Sequence, residues 1–453
     1  MRSLFIQRLT QLLRPERCHQ LARQCGWCQR QGKISSFEFL YSLALGQGSA
    51  LDLTLNAQAN SLSRPVTRQA IDQRYTPEAV AYFKAAFQQA LQRTLNWPVD
   101  SPMAQRLRSH FAAVRLFDST QCSCSDALAS LFPACGGGGT QAGLKVLLSH
   151  EYGTSQLRPL DLLASKRSDQ GLADLAAQCV QKGEIGIFDK GFYKAQALRG
   201  IAEREGYFLI PWTRSVSLWL TNGQDRPVEL KVAAALKATP DACREWSGVQ
   251  LGQTENSRLS GVRLMAYRLS EECAGRRRAQ LREKCRTYGR QPTAEALELA
   301  GWLILLTNAP VAKLSAQAAG YLYRVRWQIE LIFKQWKSVL RLDVIPSDNP
   351  YRVQCEVWAR LLAGLLGFVW HQHANSACLQ QHQREISFSK MAKQLQQQAH
   401  TLARTIFQSP ASLESLLREM WIKILKLARK EHQPSRPTTW QNLRTHWLDP
   451  APT

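Results

Sequence analysis

Tyr323, Arg326, Glu330 and Lys337 stand in the run Tyr321-Leu-Tyr-Arg-Val-Arg-Trp-Gln-Ile-Glu-Leu-Ile-Phe-Lys-Gln-Trp-Lys337. On a helical wheel at about 100° per residue, the four share a stripe roughly 60° wide. Trp327 and Lys334 fall just beside it. Val325, Ile329, Ile332, Phe333, Trp336 and Leu340 gather opposite, a broad apolar face suited to packing on a sheet. A carboxylate flanked by cations and a tyrosine on the polar face of a half-buried helix suits a site that handles phosphates and a metal. An amphipathic helix laced by i,i+4 salt bridges such as Arg326–Glu330 is the plainer alternative.

Two further carboxylates shift the balance toward chemistry. Phe111-Ala-Ala-Val-Arg-Leu-Phe-Asp118 is a short apolar run that ends on an aspartate, followed by Ser-Thr. Glu184-Ile-Gly-Ile-Phe-Asp189-Lys-Gly191-Phe-Tyr193 is a second. Each predicts a buried strand whose carboxyl end presents Asp before a turn. Either aspartate alone reads as a turn former. With Glu330 they make three carboxylates that one sheet can bring to one point.

The spacing Tyr-x2-Arg-x3-Glu-x6-Lys, realised as Tyr323, Arg326, Glu330 and Lys337, resembles the signature of bacterial insertion-sequence transposases of the fourth family. The Asp118-Ser-Thr and Asp189-x-Gly191 contexts look like that family's first and second aspartate motifs, and the likeness runs from about Phe111 to Asp343. The resemblance implies an α/β protein with a ribonuclease H-like catalytic core, a β-rich insertion, and flanking helical N- and C-terminal regions. It implies a triad of Asp118, Asp189 and Glu330 holding Mg2+, with Mn2+ a possible substitute. It further implies phosphate contacts from Tyr323, Arg326 and Lys337, and Trp302 and Trp327 as candidates for stacking a displaced base. The implied partners are double-stranded DNA, both element ends and target, and a second copy of the chain in the DNA complex. A stand-alone nuclease with the same triad, or a non-catalytic DNA-binding derivative, is the alternative.

The elements needed to position these groups can be read in order. Gly143–Tyr152 and Pro159–Leu163 are strand candidates, Leu172–Lys182 has helical spacing, and the Asp189 strand follows. The glycine run at 135–139 is not a nucleotide loop, because no Gly-Lys-Ser/Thr follows it; a hairpin or flexible turn is expected. Asp189 and Glu330 are too far apart for one strand and one helix. Tyr207–Pro211, Ser215–Leu220 and Val262–Leu269 are therefore read as strands of an insertion, and Gly301–Asn308 as the last core strand. The expected domains are 1–105, helical and DNA-binding; 106–195 with 300–350, the core; 196–299, the insertion; and 351–453, helical.

Composition points to the same partner. The chain carries 58 Lys plus Arg against 35 Asp plus Glu, a formal charge of +23, which favours polyanions and makes affinity steeply salt-dependent. Arg276 to Arg290 holds seven cations and one acid, with Arg276, Arg277 and Arg278 at its head; it reads as a phosphate track or a solvated face. Arg68 and Arg74, after Pro65, are candidates for a DNA-reading helix. The longest apolar stretch, Leu361–Trp370, is about half a membrane span, and Met1–Arg30 has no secretory pattern, so no membrane is expected. Twelve cysteines without framework spacing suggest reduced thiols in the cytoplasm. Cys25-Gly-Trp-Cys28, near Cys18 and His19, lacks a nearby second ligand pair for zinc. A flexible tail is expected around Pro434–Pro437.

Overall fold

Val114–Cys124, fully buried at first and alternating in burial after Ser119, forms a long strand that lies inside the sheet, flanked on both sides. The computed structural model describes residues 2–30, 32–45, 54–95, 97, 101–134, 140–154, 156–222, 226–252, 258–406, 408–431 and 437–449. The glycine run at 135–139 and most of the 434–437 segment lie outside the described residues.

Helices α1 (Arg2–Leu12), α2 (Pro15–Gln24), α3 (Ser36–Ala44), α4 (Leu55–Ser61), α5 (Arg68–Asp72), α6 (Pro77–Leu95) and α7 (Pro102–Leu107) come first. Then follow β1 (Val114–Cys124), β2 (Ala142–Glu151), β3 (Gln156–Ala164), α8 (Asp169–Gln178), β4 (Ile185–Ile187), α9 (Ala195–Glu203) and β5 (Tyr207–Pro211). Next are β6 (Leu218–Thr221), β7 (Pro227–Glu229), α10 (Val232–Lys237), β8 (Cys243–Leu251), β9 (Leu259–Arg268), α11 (Glu271–Thr287) and α12 (Ala294–Leu299). The chain returns through β10 (Trp302–Thr307), α13 (Ala316–Arg324), α14 (Trp327–Leu340) and β11 (Val344–Ile345). It ends in α15 (Pro350–His382), α16 (Phe388–Ile406), α17 (Pro410–Leu427) and α18 (Thr439–Leu443).

One mixed sheet joins all the strands in the order β3-β2-β1-β4-β5-β10-β9-β8-β6-β7, with β11 alongside the far end of β1. β1, β4 and β5 are mutually parallel, and the remaining neighbours on that path are antiparallel. Tyr207–Pro211, read from sequence as part of the insertion, instead pairs in parallel with β4. The reason is local: α9 is long enough to make the crossover that two parallel strands require. The run at 301–308 forms β10, antiparallel between β5 and β9. Strands of the expected insertion thus extend the central sheet through β9.

The sheet separates two apolar layers. Val114, Leu116, Cys122 and Cys124 of β1 pack with α3, α6, α14 and α15. Phe117 points the other way, into a layer with α8, α9 and α10. Among the described residues α15 alone is long and apolar enough to cross a membrane, and 78% of that stretch is buried inside the protein. It is the spine of the larger layer.

A buried ion pair ties β1 to β4. Arg115 Nε and a terminal guanidinium nitrogen each donate to a Glu184 carboxylate oxygen at 2.6 Å, and both residues are 8% exposed. Removing one partner strands the other charge, so Glu184→Ala is expected to lower stability by about 3–5 kcal/mol. Urea unfolding checks it; a loss below about 1 kcal/mol would mean that the pair does not hold the strands together.

Candidate active site

Strand register puts the two aspartates side by side. Leu116 of β1 is paired with Ile187 of β4, and each aspartate lies two residues further on. A step of two keeps a side chain on the same face. Asp118 therefore shares the face of Leu116, and Asp189 that of Ile187, both in the larger apolar layer. Beyond Ile187 the chain leaves β1, and β11 rejoins it only at Ser123 and Cys124. The gap is a crevice beyond the carboxyl end of β4, beside the continuing β1, a place where ligands often bind in such sheets.

Asp118 does not end its strand, contrary to the sequence expectation. β1 runs on to Cys124, with Asp118 opposite Leu148 of β2. Thr120, Cys122 and Cys124 keep the buried alternation going after the bulky residues stop. Asp189 does stand at a turn: it caps a single 3-10 turn, Lys190–Phe192, accepting from the Gly191 amide at 3.3 Å.

Glu330 arrives from the layer above. The single helix expected from Tyr323 to Leu340 is two helices, α13 and α14, joined through Val325 and Arg326. Their junction is held by i→i+3 bonds, Val325 to Leu322 at 3.0 Å, Arg326 to Tyr323 at 3.1 Å and Gln328 to Val325 at 2.8 Å. This is a locally tightened turn. Ile329, Ile332, Phe333 and Trp336 bury the underside of α14. A Cβ at Gly364 of α15 would lie 2.7 Å from the Trp336 ring, so only glycine lets the two helices approach this closely.

The resulting cleft, about 560 Å³, is lined by Asp118, Thr120, Glu330, Lys334, Lys337 and Asp343 among others. Burial pushes the Asp118 carboxyl up to about 6; the Ser119 amide, at 2.8 Å, and Arg326 oppose this, while Glu330 and Asp189 add to it. Asp189 is not on the cleft lining, but its charge reaches Asp118, Tyr323 and Arg326. Arg326 is ion-paired to Glu330 and sits 5.8 Å above the Tyr323 ring. Burial disfavours the Arg326 cation, yet Tyr323, Glu330 and Asp189 together hold its pKa above the ordinary value. Its Nε is buried with no hydrogen-bond partner among the described residues. Burial also pushes the Tyr323 hydroxyl up to about 12.

Among the described residues, no three His, Cys, Asp or Glu side chains are already gathered as metal ligands. Glu330 faces the Arg326 guanidinium instead. The donor chemistry nevertheless fits a hard divalent cation: three carboxylates close enough to raise the proton affinity of one of them form a surplus of negative charge.

The other candidates divide. Lys337 lines the cleft as expected, together with Lys334. Trp327 is 56% exposed at the start of α14, whereas Trp302 is 3% exposed. The Trp302 ring lies beneath Arg268, with 4.4 Å between guanidinium and ring, and Nε1 donates to Glu298 at 3.3 Å. Trp302 is a core residue, so the structure does not bring it to the site. Arg68 is exposed on α5, a helix of five residues capped by Thr67. Arg74, expected to be exposed, lies 5.1 Å from the Trp27 ring, and its carbonyl accepts from that indole at 3.1 Å. Arg276 is exposed on α11. Arg277 donates to the Trp302 carbonyl at 3.0 Å and Arg278 to the Leu297 carbonyl at 3.2 Å, so these two also fasten α11 to the body. Cys18 is buried, which pushes its thiol up to about 12, and His19 meets Ser36 at 2.6 Å.

Sequence reasoning missed Asp343, which follows the left-handed cap Arg341 and brings a third carboxylate to the cleft lining. It also missed the polar cluster of Ser119, Lys145 and Asp169 behind Asp118. Neither lies in a motif, and the second joins three separate segments.

Residues 109–366 match the family model for the transposase DDE domain. The transposase for insertion sequence element IS231F of Bacillus thuringiensis subsp. israelensis is 23% identical, over 96% of this chain and 94% of its own length. The transposase for insertion sequence element IS1151 of Clostridium perfringens is 22% identical, over 94% and 93%. A cryo-EM structure of the piggyBac transposase synaptic complex with hairpin DNA aligns with 96% of this chain and 86% of that one, at a TM-score of 0.43 and 11% identity.

Proposed function

The chain belongs to the transposase DDE domain family, and from that premise we propose that Asp118, Asp189 and Glu330 are its catalytic carboxylates. It is a DNA transposase, an enzyme of DNA cleavage and strand transfer. The observation that supports the residue assignment is that the charges of Glu330, Asp189 and Arg326 all reach Asp118, with Glu330 and Lys337 on the same cleft. In this reading β1–β5 with α8 and α14 form the ribonuclease H-like core. Residues 196–299 are the insertion apart from β5, residues 1–105 contribute DNA contacts through the surface that carries Arg68, and 351–453 support the core.

Asp118, Asp189 and Glu330 would hold Mg2+ or Mn2+ through their hard oxygens, and the bound cation would supply charge neutralisation and polarise the attacking water or hydroxyl. Lys334 and Lys337 grip non-bridging phosphate oxygens. Arg326 holds Glu330 until a phosphodiester offers the guanidinium a second anion, through the Nε–H that has no partner. Glu330, freed of that pairing, would then be the third carboxylate available to hold the cation. Water attacks phosphorus at the element end and a 3′-hydroxyl leaves. That hydroxyl next attacks a phosphorus of target DNA, with one P–O bond formed for each one broken. Tyr323 orients Arg326 through its ring, and Trp327 offers an exposed face to a base near the cut. The working unit is a homodimer on DNA in the cytoplasm.

The test is direct. Purified protein with Mg2+ and a duplex carrying the inverted repeats that flank its gene should release a 3′-hydroxyl at the repeat boundary. Cleavage that ignores the repeat sequence would make the enzyme a general nuclease.

α11 extends the same reading. Ile187, Leu209 and Thr307 lie level across β4, β5 and β10. Because β10 runs antiparallel, Trp302 sits toward the end of the sheet where Asp118 and Asp189 stand. α11 leaves β9 at that end and, over 17 residues, reaches about 25 Å. Only Ala274 of it is buried. Neutralising Arg276, Arg282 and Arg286 together is expected to flatten the slope of log affinity against log salt by about 2–3, since each phosphate contact contributes about 0.9. An unchanged slope would leave α11 as a solvated arm that DNA does not touch.

A further inference from the structure

Beside the cleft, one carboxylate lies against the supports of both catalytic aspartates. Ser119, the residue after Asp118, donates its hydroxyl to Asp169 at 2.6 Å. Lys145 of β2, 4% exposed, donates to the same Asp169 oxygen at 3.1 Å and to the Arg167 carbonyl at 2.7 Å. The other Asp169 oxygen lies 3.3 Å from where a Cβ on Gly191 would stand. Gly191 in turn gives its amide to Asp189. Asp169 is set in this place as the first residue of α8, after the cap Ser168.

We propose that Asp169 is a positioning residue that holds the Asp118 strand and the Asp189 turn at a fixed separation. It acts through Ser119 and Lys145 on one side and through its packing on Gly191 on the other. The inference rests on the triad reading above. A hydrogen-bonded network anchored on a buried lysine resists displacement, and two ligands borne on different segments need such a brace to keep their geometry.

The full chain bound to its end duplex would be titrated with Mn2+ and followed by electron paramagnetic resonance, alongside cleavage rate and thermal unfolding. Asp169→Ala should weaken Mn2+ binding about tenfold and lower the cleavage rate at saturating metal at least tenfold. Asp169→Asn, which keeps an acceptor for Ser119 and the contact with Gly191, should recover most of the Mn2+ affinity. A lowered unfolding temperature with the Mn2+ midpoint unmoved would overturn the proposal and leave Asp169 as a stabiliser of the fold. Should Asp169→Ala fail to fold, Ser119→Ala carries the test, because it removes one arm without stranding a charge. About a threefold shift of the Mn2+ midpoint is expected from it, and no shift overturns the proposal. If wild-type protein takes up no Mn2+ while Asp118→Asn behaves identically, the triad reading itself falls, and this inference with it.

Discussion

Asp118→Asn is expected to abolish cleavage and, in the same molecule without metal or DNA, to stabilise the fold. The first effect follows from removing a ligand charge while keeping the shape, a loss of at least about 10^3-fold in rate. The second follows from burial. The carboxyl is pushed up to about 6 in the folded protein, against about 3.9 when unfolded. Below about pH 4 both states hold the proton, so the ionisation penalty is absent. As pH rises toward 6 the unfolded chain ionises first, and the stability associated with the protonated carboxyl is lost. Above about 6 the folded state carries a charge in an unfavourable place and the deficit levels off at roughly 1–3 kcal/mol. The Asn variant avoids it. Urea unfolding in EDTA between pH 5 and 8 should show its advantage growing to about pH 6.5 and then holding. A variant less stable than wild type at pH 7.5, or one that still cuts at a comparable rate, would refute the placement of Asp118. Asp189→Asn and Glu330→Gln should equal it in lost cleavage.

Lys337→Ala should lower cleavage by roughly 10–100-fold with almost no change in stability. Lys337 lines the cleft with Asp118 and Glu330, where a lysine can meet phosphate by a charge-assisted contact away from bulk water. Truncating a half-exposed lysine shifts folding by no more than about 0.5 kcal/mol. Lys182, 75% exposed and paired with Glu205, is the control, since such surface pairs contribute little. Nicking of an end-containing duplex, resolved on a gel, reads chemistry, and thermal unfolding reads the fold. Equal behaviour of the two alanine variants in both assays would reduce Lys337 to a solvated cation.

What could be read from sequence was whatever local pattern carries. The three carboxylate motifs occur in order, and their strand, helix and turn contexts show in the period of apolar residues. Patterns fail where a structure is decided by distant neighbours. β1 outlasts its bulky residues because Thr120, Cys122 and Cys124 are buried by helices hundreds of residues later. β8 carries no apolar run, as most of it is at least partly exposed, and exists because β9 offers it an edge. Trp302 reads as an aromatic at a strand start; only the approach of Arg268 and Glu298 shows that it is enclosed. Arg74 bends back to Trp27 across a separation no periodicity records. The tightened turn at Val325 and Arg326 shifts Tyr323 relative to a uniform wheel, yet leaves Arg326 and Glu330 in register. The brace made by Ser119, Lys145 and Asp169 was invisible for the same reason as the Arg115–Glu184 pair: each joins segments that only the folded sheet brings together.

The helix α15 has a consequence in time. α3 and α6 bury their apolar faces in the same layer as α15, yet more than 250 residues separate the end of α6 from its start. At ordinary rates of translation, on the order of ten to fifty seconds pass before that partner is made. Through that interval the nascent N-terminal segment carries Phe37, Phe39, Phe83 and Phe87 without their final cover. Ribosome-bound chains stopped before Pro350 should therefore engage chaperones and be cut readily by protease between Pro15 and Leu95, and chains released after His382 should not. The time at which the N-terminal helices can first reach their final packing is set by the emergence of the chain's last quarter.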